Sequence, residues 1–345
     1  MERPDLNNVA PNIIQYIETL EAKLATTSRS QSGRAERIET DLEPSEPPTT
    51  MNIITVSATG IAKRTARHHY FRQRRGGMGV FDLDSDENDP PRFLVSADES
   101  AGIVLITDQA RAFPIPVGEI TQTEVRARGQ SIVDNLPLRP DEKIALIIPN
   151  QVGSHVVLAS NRGQVRRITG HYFGHNLQPG TLLYDIKSGG VPAAASWTTG
   201  AHDLIIATCK GRAIRFTEQQ VPMRGCLGMR LDGDDEVIGV AGVAADGAVF
   251  MLTDEGKGAV RLMSGFTANK APGSGGKQLM KADKLVGIAE VNVAGTSSQD
   301  IFTISKLGKL IRFQAHEVPS KAGVVQGVNC MNLRADECTT MTISG

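Results

Sequence analysis

The run DLIIATCKGRAIRF at residues 203–216 recurs in altered form at five other places in the chain. Each copy opens with a short β-branched run, reaches a turn and then resumes with a basic residue. The other copies are NIITVSATGIAKR (52–64), GIVLITDQARAF (102–113), HVVLASNRGQVRR (155–167), AVFMLTDEGKGAVRL (248–262) and DIFTISKLGKLIRF (300–313). The turn residues are Gly60, Ala110, Gly163, Gly211, Gly256 and Gly308, spaced 45–53 residues apart. A period of this length indicates a repeat architecture.

One repeat has the properties of a small β-sheet. Runs such as Leu204-Ile205-Ile206-Ala207 are short and β-branched, as strands require, and a Gly in the turn permits a tight hairpin. A lone four-stranded sheet would leave two apolar faces exposed, whereas six sheets stacked radially bury them, and ring closure removes most edges. Residues 52–345 are therefore predicted to form an all-β, six-bladed, propeller-like ring. The single Trp197 excludes the WD40 type, which carries a WD dipeptide in its repeats.

Each repeat also has a second half, which contains Gly and basic residues and precedes a return strand. These halves are RQRRGGMGV (72–80), RARGQSIV (126–133), LQPGTLLY (177–184), VPMRGCLGMRL (221–231), APGSGGKQL (271–279) and VPSKAGVVQGV (318–328).

The first 51 residues differ from the rest. Ile13, Ile17, Leu20 and Leu24 recur at helical spacing, which predicts a helix at about 11–25 that could pair with a partner helix. Residues 26–50 are polar and contain Pro44, Pro47 and Pro48, so they are predicted to form a flexible, disordered linker.

Charge is near balance overall but segregated along the chain. The net charge is −1, which argues against a histone-like protein that coats nucleic acid through bulk charge. Residues 51–81 nevertheless contain six bases and no acid, and an acidic run at 82–89 follows. That run is predicted to be a solvated loop; the alternative is that it competes with DNA for the preceding arginines.

Several function classes are disfavoured. No apolar run is long enough for a membrane span, and the N-terminus lacks a secretory signal pattern, so a cytoplasmic protein is expected. The four cysteines have no CxxC spacing, and the histidine pairs His68/His69 and His171/His175 lack further ligands at suitable spacing, so neither a metal nor a cofactor is predicted. The acids at 232–236 repeat nowhere else, which disfavours a propeller enzyme.

The segment Gln73-Arg74-Arg75-Gly76-Gly77-Met78-Gly79 resembles the gyrase A box, Q(R/K)RGG(R/K)G, at six of its seven positions. Together with the six repeats, it makes residues 52–345 similar to the DNA-wrapping C-terminal domain that belongs to the gyrase A polypeptide of bacteria, and to its topoisomerase IV relative. Met78 stands where the family has a base. The second repeat departs too, with Ala110 for the turn Gly and Pro114 where other repeats have Arg.

The resemblance implies a six-bladed β-pinwheel whose blades exchange strands and which binds and bends duplex DNA without sequence specificity. It also implies a stand-alone, non-catalytic protein of the nucleoid that acts beside a type II topoisomerase, because only 51 residues precede the first repeat. The alternative is a propeller scaffold that binds proteins and has lost DNA wrapping.

Two groups of residues are predicted to contact DNA phosphates. Bases that follow the turns would recur around the rim, and the glycines of the box would let backbone N–H groups approach phosphates closely. The predicted DNA-binding residues are Lys63, Arg64, Arg72, Gln73, Arg74, Arg75, Gly76, Gly77, Gly79, Arg166, Arg167, Arg215, Arg261, Lys309 and Arg312.

Overall fold

The computed structural model describes residues 46–151, 153–293 and 299–345. The predicted helix at 11–25 and the predicted linker up to residue 45 lie outside the described residues. The compact unit begins at Glu46, whose carboxylate lies 2.9 Å from a guanidinium nitrogen of Arg67 and 3.1 Å from one of Arg312. The compact unit thus includes Glu46, which the sequence analysis assigned to the linker.

Each sheet is built on a hairpin whose strands flank one of the predicted turns. The hairpins are β1 (Met51–Ser57) with β2 (Ile61–Ala66), β5 (Gly102–Thr107) with β6 (Arg111–Pro116), β9 (His155–Ser160) with β10 (Gln164–Thr169), β13 (Asp203–Thr208) with β14 (Arg212–Thr217), β17 (Ala248–Thr253) with β18 (Lys257–Leu262), and β21 (Asp300–Ser305) with β22 (Lys309–Gln314). The first strands are buried along almost their whole length because both of their faces are covered by neighbouring sheets.

A return strand lies against the first strand of each hairpin, on the inner side of the ring. These inner strands are β4 (Pro91–Asp98), β8 (Ile144–Asn150), β12 (Pro192–Thr198), β16 (Val237–Val243), β20 (Leu285–Val291) and β25 (Cys338–Ser344). Each contacts the next around the ring, and β25 contacts β4, so the ring is closed.

Short strands from the following repeat complete the outer edge of each sheet. These exchange strands are β3 (Val80–Phe81), β7 (Gln130–Ser131), β11 (Thr181–Leu182), β15 (Cys226–Leu227), β19 (Lys277–Gln278), β23 (Ser320–Lys321) and β24 (Val328–Asn329). The strand orders, from the inner strand outward, are β4-β1-β2-β7, β8-β5-β6-β11, β12-β9-β10-β15, β16-β13-β14-β19, β20-β17-β18-β23 and β25-β21-β22-β3, with β24 also on β18. The expected six-bladed all-β architecture with exchanged strands is confirmed.

Little else is regular. The described residues contain one short α-helix, α1 (Ile186–Gly189), and seven single-turn 3-10 helices. The 3-10 helices are Arg67–His69, Val117–Glu119, Gly170–Tyr172, Gly174–Asn176, Glu218–Gln220, Met263–Gly265 and Ala315–Glu317.

The core consists of six apolar clusters, one in each interface between neighbouring sheets. Ile205 and Val249 belong to the cluster between the fourth and fifth sheets, for example, and Ile53 and Phe302 to the cluster between the first and sixth. Burial of these β-branched and aromatic side chains is what holds the sheets together, at about 1.5–3 kcal/mol for each fully buried side chain.

The hairpin turns are alike in all six sheets. Gly211 has φ +73° and Ala110 has φ +56°, so the second repeat keeps the left-handed turn although it lacks Gly. Three residues before the turn residue stands a buried Ser or Thr; the Thr107 hydroxyl, for instance, accepts a hydrogen bond from the Arg111 N–H at 3.2 Å. The unusual turn of the second repeat is therefore a local departure within an intact blade.

Candidate nucleic-acid interface

The box occupies the segment that closes the ring between the first and sixth sheets. It precedes β3, whose residues Val80 and Phe81 pair with β22 of the sixth sheet. The Gly76 N–H donates to the Cys330 carbonyl at 2.7 Å, and the Gly77 carbonyl accepts from the Asn332 N–H at 2.9 Å. The backbone of the box is thus fixed against the last repeat.

Gly79 has a conformational reason to be glycine. Its φ is +70°, and a Cβ there would lie 2.6 Å from the Leu310 carbonyl oxygen. The Gln73 side chain accepts a hydrogen bond from the Gly79 N–H at 3.3 Å, so the first and last residues of the box are joined. Gln73 and Gly79 therefore shape the loop, and Gly79 also permits the close crossing over β22.

The box arginines have different environments. Arg72, just before the box, forms a bidentate ion pair with Asp300 at 2.8 and 3.1 Å. Arg75 donates to the backbone carbonyls of Glu317 and Asn329 at 2.8 and 3.1 Å. The Arg74 side chain is exposed, and it has no hydrogen-bond or ion-pair partner among the described residues. Arg74 is therefore the box side chain best placed to meet a ligand.

An exposed aromatic ring follows the box. Phe81 is 50% exposed and lies between two cations: the Arg126 guanidinium is 5.5 Å and the Lys309 ammonium 5.3 Å from the ring centroid. Because these cations come from the second and sixth repeats, the ring and its partners hold three repeats together at the outer edge. Met78 is also exposed. Because Met stands where the box motif has a base, this position on the surface is uncharged.

Most of the predicted post-turn bases are buried, which corrects the expectation that they line an exposed rim. The buried set comprises Lys63, Arg64, Arg215, Arg261 and Arg312. The Lys63 ammonium lies 2.6 Å from Asp82, and both side chains are fully buried. Burial lowers the pKa of Lys63, an effect that the Asp82 carboxylate opposes.

Three of the buried arginines link neighbouring sheets. Arg312 donates to the Arg67 and Tyr70 carbonyls at 3.0 Å each, and Arg215 donates to the Met263 and Phe266 carbonyls at 2.7 and 3.1 Å. In both cases the carbonyls belong to the first residue of a 3-10 helix in the next repeat around the ring and to the residue just after that helix. Arg64 makes the equivalent bond to the Ile120 carbonyl at 2.7 Å.

Each of these three arginines also has a carboxylate partner: Glu99 for Arg64, Asp203 for Arg215 and Asp300 for Arg312. Arg261 instead donates to the Leu279 and Gly265 carbonyls, at 2.7 and 3.2 Å. The recurrent Arg after the turn is therefore a structural part of the repeat.

Arg166, Arg167 and Lys309 are the post-turn bases that remain partly accessible. The Arg166 guanidinium lies 5.1 Å from the centroid of the Tyr184 ring. Arg167 has a buried Nε that lacks a hydrogen-bond partner.

Other cations lie on the outer edge of the ring, in the segments that supply the exchange strands. We define the exchange segments as residues 71–83, 121–134, 177–184, 221–231, 267–281 and 318–331. Their exposed bases are Arg74, Arg126, Arg128, Arg224, Arg230, Lys270, Lys277, Lys281 and Lys321, whereas their exposed acids are Glu124 and Asp134. Of these bases, Arg74 is the one that was predicted from the sequence, although most of the others lie in the Gly- and base-containing second halves of the repeats.

Cations at the hairpin turns differ from those of the exchange segments. Lys257 forms an ion pair with Glu255 at 2.5 Å, and Lys210 pairs with Asp234. Among the exposed bases of the exchange segments, by contrast, Arg128 alone forms an ion pair with another described residue. It lies 3.5 Å from Asp84. The outer edge therefore carries uncompensated positive charge.

The acidic run at 82–89 is not a uniformly solvated loop, which corrects that expectation. Asp82 is fully buried and accepts hydrogen bonds from the Tyr70 and Thr55 hydroxyls at 2.6 Å each. Asp89 accepts from the Thr59 N–H and the Ser57 hydroxyl in the first turn, at 2.8 and 2.7 Å. Only the middle of the run, including Asp84, remains exposed.

The remaining chemistry-bearing residues form no metal cluster in the described part of the chain. The four cysteines are free thiols, and burial raises the pKa of Cys330 and of Cys338 to about 12 each. Nor does any helix in the described residues have the length and apolar character of a membrane span.

These features define a closed, six-bladed β-propeller in which each sheet is completed by the next repeat. Solved structures share this fold, among them two C-terminal domains. The DNA gyrase A C-terminal domain superposes with a TM-score of 0.73 at 19% identity, over 85% of this chain and 99% of that one. The topoisomerase IV C-terminal domain superposes with a TM-score of 0.54 at 16% identity, over 86% and 94%.

Sequence comparison agrees with the fold. The model of the DNA gyrase C-terminal domain, beta-propeller, matches residues 52–88, 202–244 and 299–337. The gyrase A polypeptide of Kosmotoga olearia is 25% identical over 96% of this chain, and that of Escherichia coli is 26% identical over 83%. The chain spans 42% and 33% of these two relatives. It is homologous to gyrase A polypeptides over most of its length, and its fold matches that of the DNA gyrase A C-terminal domain.

Proposed function

We propose that this propeller binds duplex DNA along its outer edge without reading the base sequence, and that it bends the duplex around that edge. The observation that carries the proposal is the array of exposed cations on the exchange segments, among them Arg74 of the box. Arg and Lys bind phosphates and release counterions, which gives affinity without sequence information.

The energetics of bending are consistent with this surface. Bending 20–30 base pairs by 40–90° costs about 1–6 kcal/mol. Hydrogen bonds to charged groups contribute about 1.5–3 kcal/mol each, so a few phosphate contacts offset the cost. Because exchange segments recur around the ring, a duplex that follows the outer edge meets cations at intervals, and bending increases the number of contacts.

The related gyrase A polypeptides suggest the partner. We infer that the chain has no catalytic role of its own and supports a type II topoisomerase on cytoplasmic, nucleoid DNA. A helix at residues 11–25 remains the predicted contact for a protein partner. A protein-binding scaffold is the second candidate, favoured by the exposed apolar side chains of Met78 within the box and of Val80 and Phe81 just after it.

A salt-dependent DNA-binding assay tests the proposal. Binding of the full chain to relaxed plasmid would be measured by gel shift and topological footprinting between 50 and 200 mM salt. We expect steep salt dependence and a change in writhe, and Arg74→Glu with Arg126→Glu should weaken binding to all sequences alike. Lys143→Glu is the matched charge-reversal control, because Lys143 lies just before β8, on the inner side of the ring. Absence of salt-dependent binding by the unmodified chain would leave the scaffold as the better explanation.

A further inference from the structure

Two arginines of the third repeat, Arg166 and Arg167, lack the internal partners that post-turn bases have in other repeats. Arg167 stands at the position of Arg64, Arg215 and Arg312, and Arg166 at the position of Lys63. Arg64, Arg215 and Arg312 each donate to a backbone carbonyl and each pair with a carboxylate. Arg166 and Arg167 have neither kind of partner within the described chain. Positive charge in the third repeat is therefore left without an internal counter-ion.

Arg166 lines a small, partly enclosed pocket on the third sheet. Arg224, from the exchange segment of the fourth repeat, lines the same pocket, as do the hydroxyl-bearing residues Ser160, Ser188 and Tyr184. No Asp or Glu is among the residues that line it. The pocket thus combines two guanidinium groups with hydroxyls and has no carboxylate.

The walls of the pocket are held in place by the fold. The Tyr184 hydroxyl donates to the Gly190 carbonyl at 3.0 Å, which fixes the ring over which Arg166 stacks. Gly225 has φ +83°, and its Cα hydrogen faces Arg166: a Cβ there would lie 3.5 Å from the Arg166 Nε. Arg166 is therefore confined between the aromatic ring and the exchange segment, whereas Arg224 is exposed at the mouth.

A phosphate group suits this arrangement. Guanidinium groups bind phosphate oxygens in a planar, bidentate geometry, and a pocket without acids carries no repulsive charge. The location is also informative, because the exchange segment 177–184 of this repeat contains no Lys or Arg. Arg166 and Arg224 would therefore supply a phosphate contact on the outer edge, where segment 177–184 supplies none.

We propose that the pocket formed by Arg166, Arg224 and Tyr184 binds a phosphate group. The phosphate belongs either to the DNA backbone, in which case the inference rests on the proposed function, or to a free phosphorylated ligand. The two sources share the same chemistry, and the experiment separates them.

The first part of the test measures phosphate binding directly. Inorganic phosphate is titrated into the full chain by isothermal calorimetry, and the double variant Arg166→Gln/Arg224→Gln is compared with the unmodified protein. We expect at least a tenfold loss of affinity in the double variant. Arg230→Gln, exposed on the same exchange segment but outside the pocket, is the control and should bind phosphate normally. Arg224→Gln alone changes an exposed side chain, so it should keep the unmodified melting temperature and still weaken binding.

The second part measures the salt dependence of duplex binding. If the pocket holds a DNA phosphate, the double variant should lower the magnitude of the log–log salt slope by about 0.9, the value for one phosphate contact. An unchanged slope with lost phosphate binding assigns the pocket to a free phosphorylated ligand. Equal phosphate affinity in the unmodified and double-variant proteins, or no phosphate binding by either, would overturn the inference. Retained phosphate binding without any DNA binding would contradict the proposed function and leave the pocket standing.

Discussion

The Lys63 ammonium lies 2.6 Å from Oδ1 of Asp82, and both side chains are fully buried. Lys63 belongs to the first hairpin, and Asp82 directly follows the exchange strand that crosses to the sixth sheet. Asp82 also accepts hydrogen bonds from the Tyr70 and Thr55 hydroxyls. This network ties the end of the box segment to the first sheet, so Lys63 contributes to ring closure rather than to an exposed rim.

Replacement of Asp82 should be strongly destabilising. Asp82→Asn leaves the buried Lys63 ammonium without a counter-charge, which costs about 3–5 kcal/mol in comparable buried pairs. Urea unfolding would measure the change in the free energy of unfolding. Asp84→Asn, two residues further along and exposed, is the control and should change it by less than about 0.5 kcal/mol. Equal effects from the two substitutions would show that the pair does not stabilise the ring.

The fold was predictable from the sequence because its determinants are local and repeated. β-branched runs, a Gly turn and a constant period give six hairpins, and the low aromatic content left few other ways to build a core. Ala110 shows the limit of the turn pattern: the residue differs, yet the backbone adopts the same left-handed φ of +56°. That Glu46 belongs to the compact unit could not be predicted for another reason: its partners Arg67 and Arg312 are distant in sequence.

The turn glycines should be sensitive to substitution because the neighbouring repeat passes over them. A Cβ at Gly211 would lie 2.3 Å from the Met280 carbonyl oxygen, and the residue has φ +73°. Gly211→Ala should therefore lower the free energy of unfolding by well over the roughly 1–2 kcal/mol of the backbone strain alone. Gly233→Ala isolates that strain, because Gly233 has φ +51° and no atom within 4 Å of the added Cβ. Thermal unfolding that ranks Gly233→Ala as the more harmful change would contradict this account.

Substitution of a buried arginine should lower the free energy of unfolding, whereas substitution of an exposed arginine should weaken DNA binding. Arg215 donates to carbonyls of the next repeat and pairs with Asp203, so Arg215→Ala should destabilise the fold by about 3–5 kcal/mol. Arg74→Ala should leave the unfolding midpoint unchanged and lower the magnitude of the DNA salt slope by about one. Parallel unfolding and DNA titrations would measure both effects. A loss of stability in Arg74→Ala comparable to that in Arg215→Ala would show that the two arginines do not have separate roles.

The candidate interface was harder to predict than the fold. Sequence alone does not distinguish an Arg that faces a carbonyl of the next repeat, such as Arg312, from one that faces solvent, such as Arg126, because the difference depends on sheet packing. The signal that could have found the exposed set was alignment of the second halves of the repeats with the box. Those halves supply the outermost strands, so their bases are the ones left exposed.

Stability should fall in acid partly through Glu142. Burial alone would raise the pKa of this carboxyl, but hydrogen bonds from the Arg139 N–H, Thr107 and Arg111 hold it below its ordinary value of 4.5. Because the folded-state pKa is the lower one, the stabilisation is complete above pH 4.5 and is lost as the pH falls through the folded-state value. Urea unfolding from about pH 7 to about pH 3 should show a smaller decline for Glu142→Gln than for the unmodified protein. Glu119→Gln, at an exposed site, should follow the unmodified curve; identical curves for all three proteins would exclude this role.

Met78 offers a gain-of-function test of the outer edge. It is 51% exposed within the box, so a longer polar side chain fits there without displacing core residues. Met78→Arg should increase the magnitude of the salt slope by about 0.9 and tighten binding at about 50 mM salt, because one more phosphate is neutralised. Leu307→Arg provides a matched comparison: Leu307 is 49% exposed but lies in a hairpin turn outside the exchange segments. If both arginines tightened binding equally, affinity would depend on net charge alone. A gain confined to Met78→Arg requires that DNA pass over the box.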